Sequence, residues 1–386
     1  MPTGDETAAG ALVTPRTATR DDRFGILSRS TLLRHTLIAL VGFGLLLLLI
    51  VGMSDIHNSA WITPAAFTLC AAAGLTVLVG LSGQISLGHG AFMMVGAYTT
   101  ALLLEHWHSS HGNLQLIPVF AGAVVVSAVF GAVVGLAAAR LRGPYLAGAT
   151  LALAIGLPQV VNYQHLSGQL GGNNGISVVA PNSPTSSFDL YRWQSLMCAI
   201  AAVITLWFLA NVARSRLGRS FRAVRDDEIA ASLCGLSVAR VQVLAFVISA
   251  ACAGLGGGLL VIVKLVAGPG AFQLSLSLSL LAAVVFGGLG SLAGAVYGSI
   301  VVTLLPQWSE DFARALSIHS DKITNNMPLI VYGVVLAVAM LAVPNGVQGA
   351  VLRLQRLALS KATLLQAAWM VDAAQWQRQA YRELRL

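Results

Sequence analysis

The chain has 386 residues, of which 56% are hydrophobic and only 10% are charged, and its formal net charge is +8. Soluble domains are about 25% charged, so this composition excludes a water-soluble globular protein. It predicts an all-α, polytopic membrane helix bundle, because each span needs about 20 mostly apolar residues. The basic residues lie beside apolar runs, which indicates membrane topology and not a nucleic-acid surface.

The apolar runs predict one membrane domain over residues 35–350, with a cytoplasmic segment at each end. Residues 1–34 are rich in Thr, Ala, Gly and Arg, and we expect them to be disordered. The tail at 351–386 fits either an amphipathic helix on the membrane surface or a solvated helix with no role. We expect 8–10 transmembrane segments from the runs at 36–53, 61–81, 86–105, 117–139, 145–163, 195–213, 240–263, 274–305 and 327–343.

The first of these runs has no small-residue cleavage site after it, so we interpret it as a span and not as a removed signal. With a cytoplasmic N-terminus and alternating sides, most of the 23 Lys and Arg residues fall in cytoplasmic segments, as the positive-inside rule requires. This layout places both termini and the loop at 214–240 inside, and the loops at 164–194 and 306–326 outside.

Two glycine-rich stretches, at 80–90 and 287–291, interrupt the apolar runs. The second divides 274–305 into arms of about 14 residues. At 1.5 Å per residue such an arm is about 21 Å long, short of the ~30 Å hydrocarbon core. We therefore predict a re-entrant hairpin or two short helices at 274–305.

Irregular backbone is tolerated at membrane depth only where protein or a water-filled cavity covers it. The two stretches are therefore candidates for the lining of a pathway, although tight helix packing would explain the glycines equally well. His89 fits either a polar group of that pathway or a histidine that caps or packs a helix. The candidate residues are Gly83, Gln84, Ser86, Gly88, His89, Gly90, Gly287, Gly288, Gly290 and Ser291.

Several signals of chemistry are missing from the sequence. The span interiors hold almost no Asp, Glu, Lys or Arg, which disfavours a proton- or sodium-coupled carrier. The chain contains no Gly-Lys dipeptide and hence no P-loop for ATP, and it has no GxSxG or HExxH motif of an enzyme. Its four cysteines form no CxxC pair, so we predict neither a metal site nor a disulfide framework.

The segment 215–235 is charged and helix-prone, and it lies between two spans. Ala223, Ile229, Ala230 and Leu233 give the predicted short helix an apolar side, and Gly235 ends it as a C-cap would. Such a helix can seat in a groove of a soluble partner. A solvated loop with internal ion pairs is the alternative.

The segment, together with the motifs Ala-Phe, Ser-Ala and Ala-Gly that follow it at 245–254, resembles the permease family of branched-chain amino acid ABC importers. Further stretches resemble that family in order and spacing, and they lie at 80–98, 142–152, 170–176, 287–294 and 344–349. The resemblance covers roughly residues 60–350. Within the family, the chain looks most like the second of two homologous permeases.

The resemblance implies a heterodimer with a homologous permease, two cytoplasmic ATPase subunits that bind the ATP, and a substrate-binding protein outside the membrane. It implies no enzyme activity and no cofactor in this chain. It makes 214–240 the coupling segment that docks on the ATPase, through Arg219, Arg222, Ala223, Arg225, Asp226, Asp227, Glu228, Ala230 and Gly235. It also singles out an outer-loop motif with Gly171, Gly172, Asn174 and Gly175.

The chain departs from the family pattern at three positions: Ile155 replaces a Glu, Leu170 a Thr and Ala295 a Pro. The loss of the Glu and the Thr leaves the identity of the substrate open but does not change the transporter class. We expect import of branched-chain or related amino acids by alternating access. A permease for urea or short amides is the alternative, and an ion-coupled carrier is less favoured.

Overall fold

The computed structural model describes residues 31–52, 61–106, 116–141, 143–179 and 189–315, and beyond these only 330, 333–334, 337–338, 346–353 and 355. The described residues are almost wholly helical, apart from one two-stranded pair, which confirms the predicted all-α class. The elements are α1 (Thr31–Gly52), α2 (Thr63–Leu75, prolonged by the π-helical turn Thr76–Leu81), α3 (His89–His106), α4 (Leu116–Ala138), α5 (Pro144–Val161), α6 (Gln164–Leu170), β1 (Ile176–Ser177), α7 (Leu190–Arg214), α8 (Arg216–Asp226), α9 (Glu228–Leu233), α10 (Val238–Lys264), β2 (Val266–Ala267), α11 (Leu274–Gly287) and α12 (Leu292–Ala315).

Seven helices of the described part are long and apolar enough to cross a bilayer, namely α1, α2 with its π-helical turn, α4, α5, α7, α10, and α11 with the 3₁₀ turn before it. A shorter apolar stretch, Leu292–Pro306, forms most of α12. The last predicted run, 327–343, lies almost wholly outside the described residues. The total of 8–10 spans therefore stays a prediction for the whole chain, as do the boundaries of the two terminal segments.

Helix α10 lies at the centre of the bundle and packs against α2, α3 and α4. Small residues allow this approach: a Cβ at Gly96 would overlap the backbone of Gly254, and a Cβ at Gly257 would overlap the backbone of Met93. Close backbone contact replaces the hydrophobic effect as the source of helix association in lipid. As a result, 78% and 72% of the residues in the most apolar parts of α2 and α10 are buried. In the peripheral helix α1 the corresponding share is 11%.

The predicted hairpin at 274–305 consists of two helices, α11 and α12, which are joined at 288–291 and pack against each other. The second helix is longer than expected. It continues through Pro306 to Ala315, so the first ten residues of the predicted outer segment 306–326 are helical. The side of the membrane on which this segment lies stays a prediction. The apolar pattern ends near Pro306, and a proline inside a helix removes one hydrogen bond and crowds the preceding turn. The helix nevertheless continues through this position into polar residues.

The first helix begins close to the predicted N-terminal boundary. Helix α1 begins at Thr31, inside the segment 1–34 that we expected to be disordered. The apolar run begins later than the helix because its first turn contains Arg34 and His35. The His35 ring pairs with the Asn211 side chain of α7 at 2.9 Å, which ties this turn to the bundle.

The predicted topology can be tested with a native reporter. Cys234 is exposed in the segment 214–240, whereas Cys70, Cys198 and Cys252 are buried. An impermeant maleimide should therefore label the wild-type chain only after the cells are permeabilised. In a Cys234→Ser background, Ser177→Cys should be labelled in intact cells, because Ser177 is an exposed residue of the predicted outer loop. Labelling of Cys234 from outside would overturn the layout.

Candidate functional site

The segment 215–235 forms two helices and not the single one that we predicted. Helix α8 ends at Asp226, and Asp227 adopts an extended conformation with a φ of −159°. The Asp227 carboxylate accepts the backbone N–H groups of Ile229 at 2.8 Å and Ala230 at 3.0 Å, so it caps the start of α9. Gly235 follows α9 with a positive φ of 84°, as expected for the residue after a helix end.

The two helices have an inner face and an outer face. Phe221, Val224 and Ala231 are buried against the bundle. Ile229 and Leu233, one helical turn apart on α9, are 74% and 83% exposed. The predicted apolar side, which also includes Ala223 and Ala230, thus lies on the surface and is separate from the face that anchors the segment.

The charged run 225–228 is engaged within the chain. Arg225 pairs with Asp226 at 2.9 Å, and Asp227 caps α9 as described above. The Glu228 carboxylate accepts the amide of Gln242, on α10, at 3.0 Å. Arg222 donates to the carbonyl of Ala213 at 3.1 Å. These charges therefore shape and anchor the segment, and they leave the apolar residues as its most available outer contacts.

The first glycine-rich stretch is irregular from Ser82 to Gly88, between the π-helical turn and α3. Two side chains from distant helices satisfy its backbone. Leu87 donates its N–H to the Thr150 hydroxyl of α5 at 3.0 Å, and Gly90 donates its N–H to the Ser277 hydroxyl of α11 at 2.9 Å. Gly88 is so close to α5 that a Cβ there would lie 2.5 Å from the carbonyl oxygen of Thr150.

Several polar side chains of this stretch are buried but make no hydrogen bond within the described residues. They include both nitrogens of His89, which is fully buried, the amide group of Gln84 and the hydroxyl of Ser82. The ring of His89 packs edge-on against the ring of Phe92, with the ring centroids 5.8 Å apart. A buried polar group without a partner is costly, so these atoms are suited to bind water or a solute.

The second glycine-rich stretch meets the first. A Cβ at Gly80 would overlap the backbone nitrogen of Gly290, and a Cβ at Gly346 would overlap the backbone of Gly288. Gly287 lies equally close to Gly294 at the start of α12. The candidate pathway residues therefore form two groups. One surrounds Leu87–Gly90 between α5 and α11, and the other lies where 80–83 contacts 287–291.

The outer-loop motif forms an ordered turn between a short helix and a strand. Helix α6 ends at Leu170 and is followed by Gly171, which has a positive φ of 72°. A 3₁₀ turn covers Gly172–Asn174, and β1 then pairs antiparallel with β2 through Ile176 and Ala267. Gly175 has φ 72° and ψ −178°, a conformation that only glycine adopts without strain, and a Cβ there would overlap the carbonyl of Ala267. Asn174 is exposed at the tip of this turn.

Sequence reasoning did not assign a site role to Thr150 or Ser277, and it missed the contact of Arg225 with the first glycine-rich stretch. The Arg225 Nη1 donates to the Gly80 carbonyl at 2.7 Å, across 145 positions of the chain. Thr150 lies in one of the stretches that carry the family resemblance, which was the available signal for it. Nothing in the local pattern around Arg225 or Ser277 indicates their distant partners.

The chain matches the model of a family described as branched-chain amino acid transport system / permease component, over residues 58–344. It is 34% identical over 266 residues to the high-affinity branched-chain amino acid transport system permease protein LivM of Salmonella typhimurium, and 33% identical to LivM of Escherichia coli. Each alignment covers 62% of this chain and 60% of the relative. The chain thus spans about three fifths of the length of these two proteins.

The permease protein LivH of the corresponding Escherichia coli system is 28% identical over 298 residues, which are 72% of this chain and 90% of LivH. No solved structure matches the chain.

Leucine at position 88 should disturb the packing between the first glycine-rich stretch and α5. Overpacking costs about 1–3 kcal/mol, and here the obstacle is the backbone of Thr150. We expect Gly88→Leu to insert into the membrane but to lose most solute uptake. Gly44→Leu is the matched control, since Gly44 has open space around it on α1. Normal uptake by Gly88→Leu at equal protein levels would show that this contact is irrelevant to function.

Proposed function

The chain belongs to the family of permease components of branched-chain amino acid transport systems, and from this premise we propose that it is the membrane permease subunit of an ATP-driven importer. It is a multi-pass membrane protein, with seven helices suited to cross a bilayer in its described part. The proposed cargo is a branched-chain or related amino acid. The names of LivM and LivH, which are permease proteins of branched-chain amino acid transport systems, support that choice.

A homologous permease is the first proposed partner. The chain is similar to both LivM and LivH, which are two different permease proteins of high-affinity branched-chain amino acid transport in Escherichia coli. Its greater identity to LivM favours the LivM-like position in such a pair. The exposed turn at Gly172–Asn174, held rigidly by the β1–β2 pairing, is the proposed contact for a substrate-binding protein outside the cell.

Two ATPase subunits are the proposed cytoplasmic partners, and they would bind the ATP for which this chain has no P-loop. The observation that carries this proposal is the exposed apolar side of α9. Ile229 and Leu233 face outward although their segment is anchored to the bundle by Phe221 and Val224. Because the segment is anchored to the bundle, its exposed apolar face would be held in place on the cytoplasmic side. Such a face can bind in a groove of a soluble protein.

Transport would then follow alternating access. Closure of the ATPases moves α8 and α9, and the helices that they touch change their tilt around the solute. The unpartnered polar atoms of Gln84 and His89 would provide hydrogen bonds along the route, and neither residue would take part in covalent chemistry. The chain would act as a transport subunit and not as an enzyme.

A bulky side chain on the exposed face of α9 should test the docking. Ala230 is exposed, so Ala230→Trp leaves the fold intact but fills the space that an ATPase groove would occupy. We expect it to lower the amount of ATPase that co-purifies in detergent and to reduce leucine uptake by about tenfold, because overpacking a close contact costs about 1–3 kcal/mol.

The matched control is Ala137→Trp, because Ala137 is also an exposed alanine but lies on α4, outside the segment 214–240. The control should retain both the ATPase and the uptake. If Ala230→Trp retains them as well, α9 is only a solvated helix and the docking proposal fails.

A further inference from the structure

We propose that Arg225 is the positioning residue that transmits the movement of α8 to the buried helix α2 and, through it, to the candidate pathway. This inference rests on the proposed function, since it concerns how ATPase movement reaches the solute route. Arg222 and Glu228 contact helices that adjoin the segment along the chain, α7 and α10. Arg225 instead reaches Gly80 at the end of α2, a helix that lies in the core.

The guanidinium group lies at the C-terminal end of a helix. The Gly80 carbonyl belongs to the last turn of the π-helical stretch Thr76–Leu81, and Arg225 donates to it at 2.7 Å. The last carbonyls of a helix have no partner within the helix, and the negative end of the helix dipole favours a cation there. The contact therefore gives α2 a charged cap that a different part of the chain supplies.

The stem of Arg225 is also in tight contact. A Cβ at Gly83 would lie 2.6 Å from the Arg225 Cγ, and Gly83 has a positive φ of 74° that glycine adopts without strain. The guanidinium Nη1 lies 3.9 Å from the place where a Cβ at Gly290 would sit. A single side chain thus contacts the stretch 80–83 and lies beside the stretch 287–291, at the point where these two meet.

Asp226 orients the guanidinium group. Its Oδ1 accepts from Arg225 Nε at 3.1 Å and from Nη2 at 2.9 Å, which leaves Nη1 aimed at Gly80. The two side chains are 41% and 66% exposed, so this ion pair adds little stability by itself. Its effect is geometric, because a planar guanidinium can hold both partners at once and a lysine ammonium cannot reproduce that fork.

Helix α2 leads directly into the candidate pathway. Its π-helical turn is followed at once by the irregular residues 82–88 and by His89. Single π-helical turns are frequent at functional sites, where a small shift changes the hydrogen-bond register. A displacement of Arg225 would pull on the last turn of α2, and the unpartnered groups of Gln84 and His89 would move with it.

Arg225→Ala should uncouple ATP hydrolysis from transport. In the complex with its co-expressed permease and ATPase partners, we expect the ATPase to stay bound and to hydrolyse ATP, since Arg225 is not on the exposed apolar side of α9. Leucine uptake should fall by about tenfold or more, the effect of losing a hydrogen bond to a charged group. Arg225→Lys should fall in between, because it keeps the charge without the fork.

The control is Arg216→Ala, an exposed arginine at the start of the same helix α8, which should retain uptake. A second measurement separates positioning from general damage: amide hydrogen exchange of the purified chain should accelerate at 78–84 in Arg225→Ala and Arg225→Lys but not in Arg216→Ala. Unchanged exchange at 78–84 in the two Arg225 variants would overturn the proposed contact.

The remaining outcomes are distinct. Normal uptake by Arg225→Ala would refute the coupling role alone, and loss of ATPase together with uptake would make Arg225 a docking residue instead. A wild-type complex that shows no ATP-dependent uptake would refute the proposed function, and the coupling role with it.

Discussion

The backbone of a membrane protein must find all its hydrogen-bond partners inside the protein, because the bilayer core offers no water. This constraint governs the two glycine-rich stretches. Within the first glycine-rich stretch, 80–90, the backbone N–H groups of Leu87 and Gly90 donate to the hydroxyls of Thr150 and Ser277, and the carbonyl of Gly80 accepts from Arg225. Each partner comes from a different helix, so the stretch links α5, α8 and α11. The first glycine-rich stretch is therefore a junction at which several helices of the bundle meet.

The same junction explains why the glycines cluster. Backbones touch directly where Gly80 meets Gly290 and where Gly346 meets Gly288, and any side chain there would separate the helices. Contacts of this kind are stiff, so a displacement at one stretch is passed to the other. In the proposed coupling, a movement of α8 and α9 would reach Gly80 through Arg225 and would from there displace the polar side chains of Gln84 and His89.

Much of the fold could be predicted from the sequence, because a membrane helix needs a long apolar run and such runs are easy to recognise. The break after Leu81 and the turn between α11 and α12 were also predictable, since glycine-rich segments disfavour a straight helix. Helix ends were less predictable. Apolar patterns end where the environment changes, so the pattern missed the polar part of α12 beyond Pro306. A local carboxylate, Asp227, divides the predicted coupling helix by capping its second half. The contact between Arg225 and Gly80 was beyond prediction, because it depends on how helices 145 positions apart come together.

Under the proposed function, this chain moves amino acids only when a partner hydrolyses ATP. The most direct test is uptake of labelled leucine by liposomes that contain the purified complex of this chain with its co-expressed partners, with the solute-binding protein and ATP on their proper sides. We expect uptake that requires ATP, persists without any ion gradient and is competed by isoleucine and valine but not by urea. Uptake that proceeds without ATP and collapses with an ion gradient would contradict it.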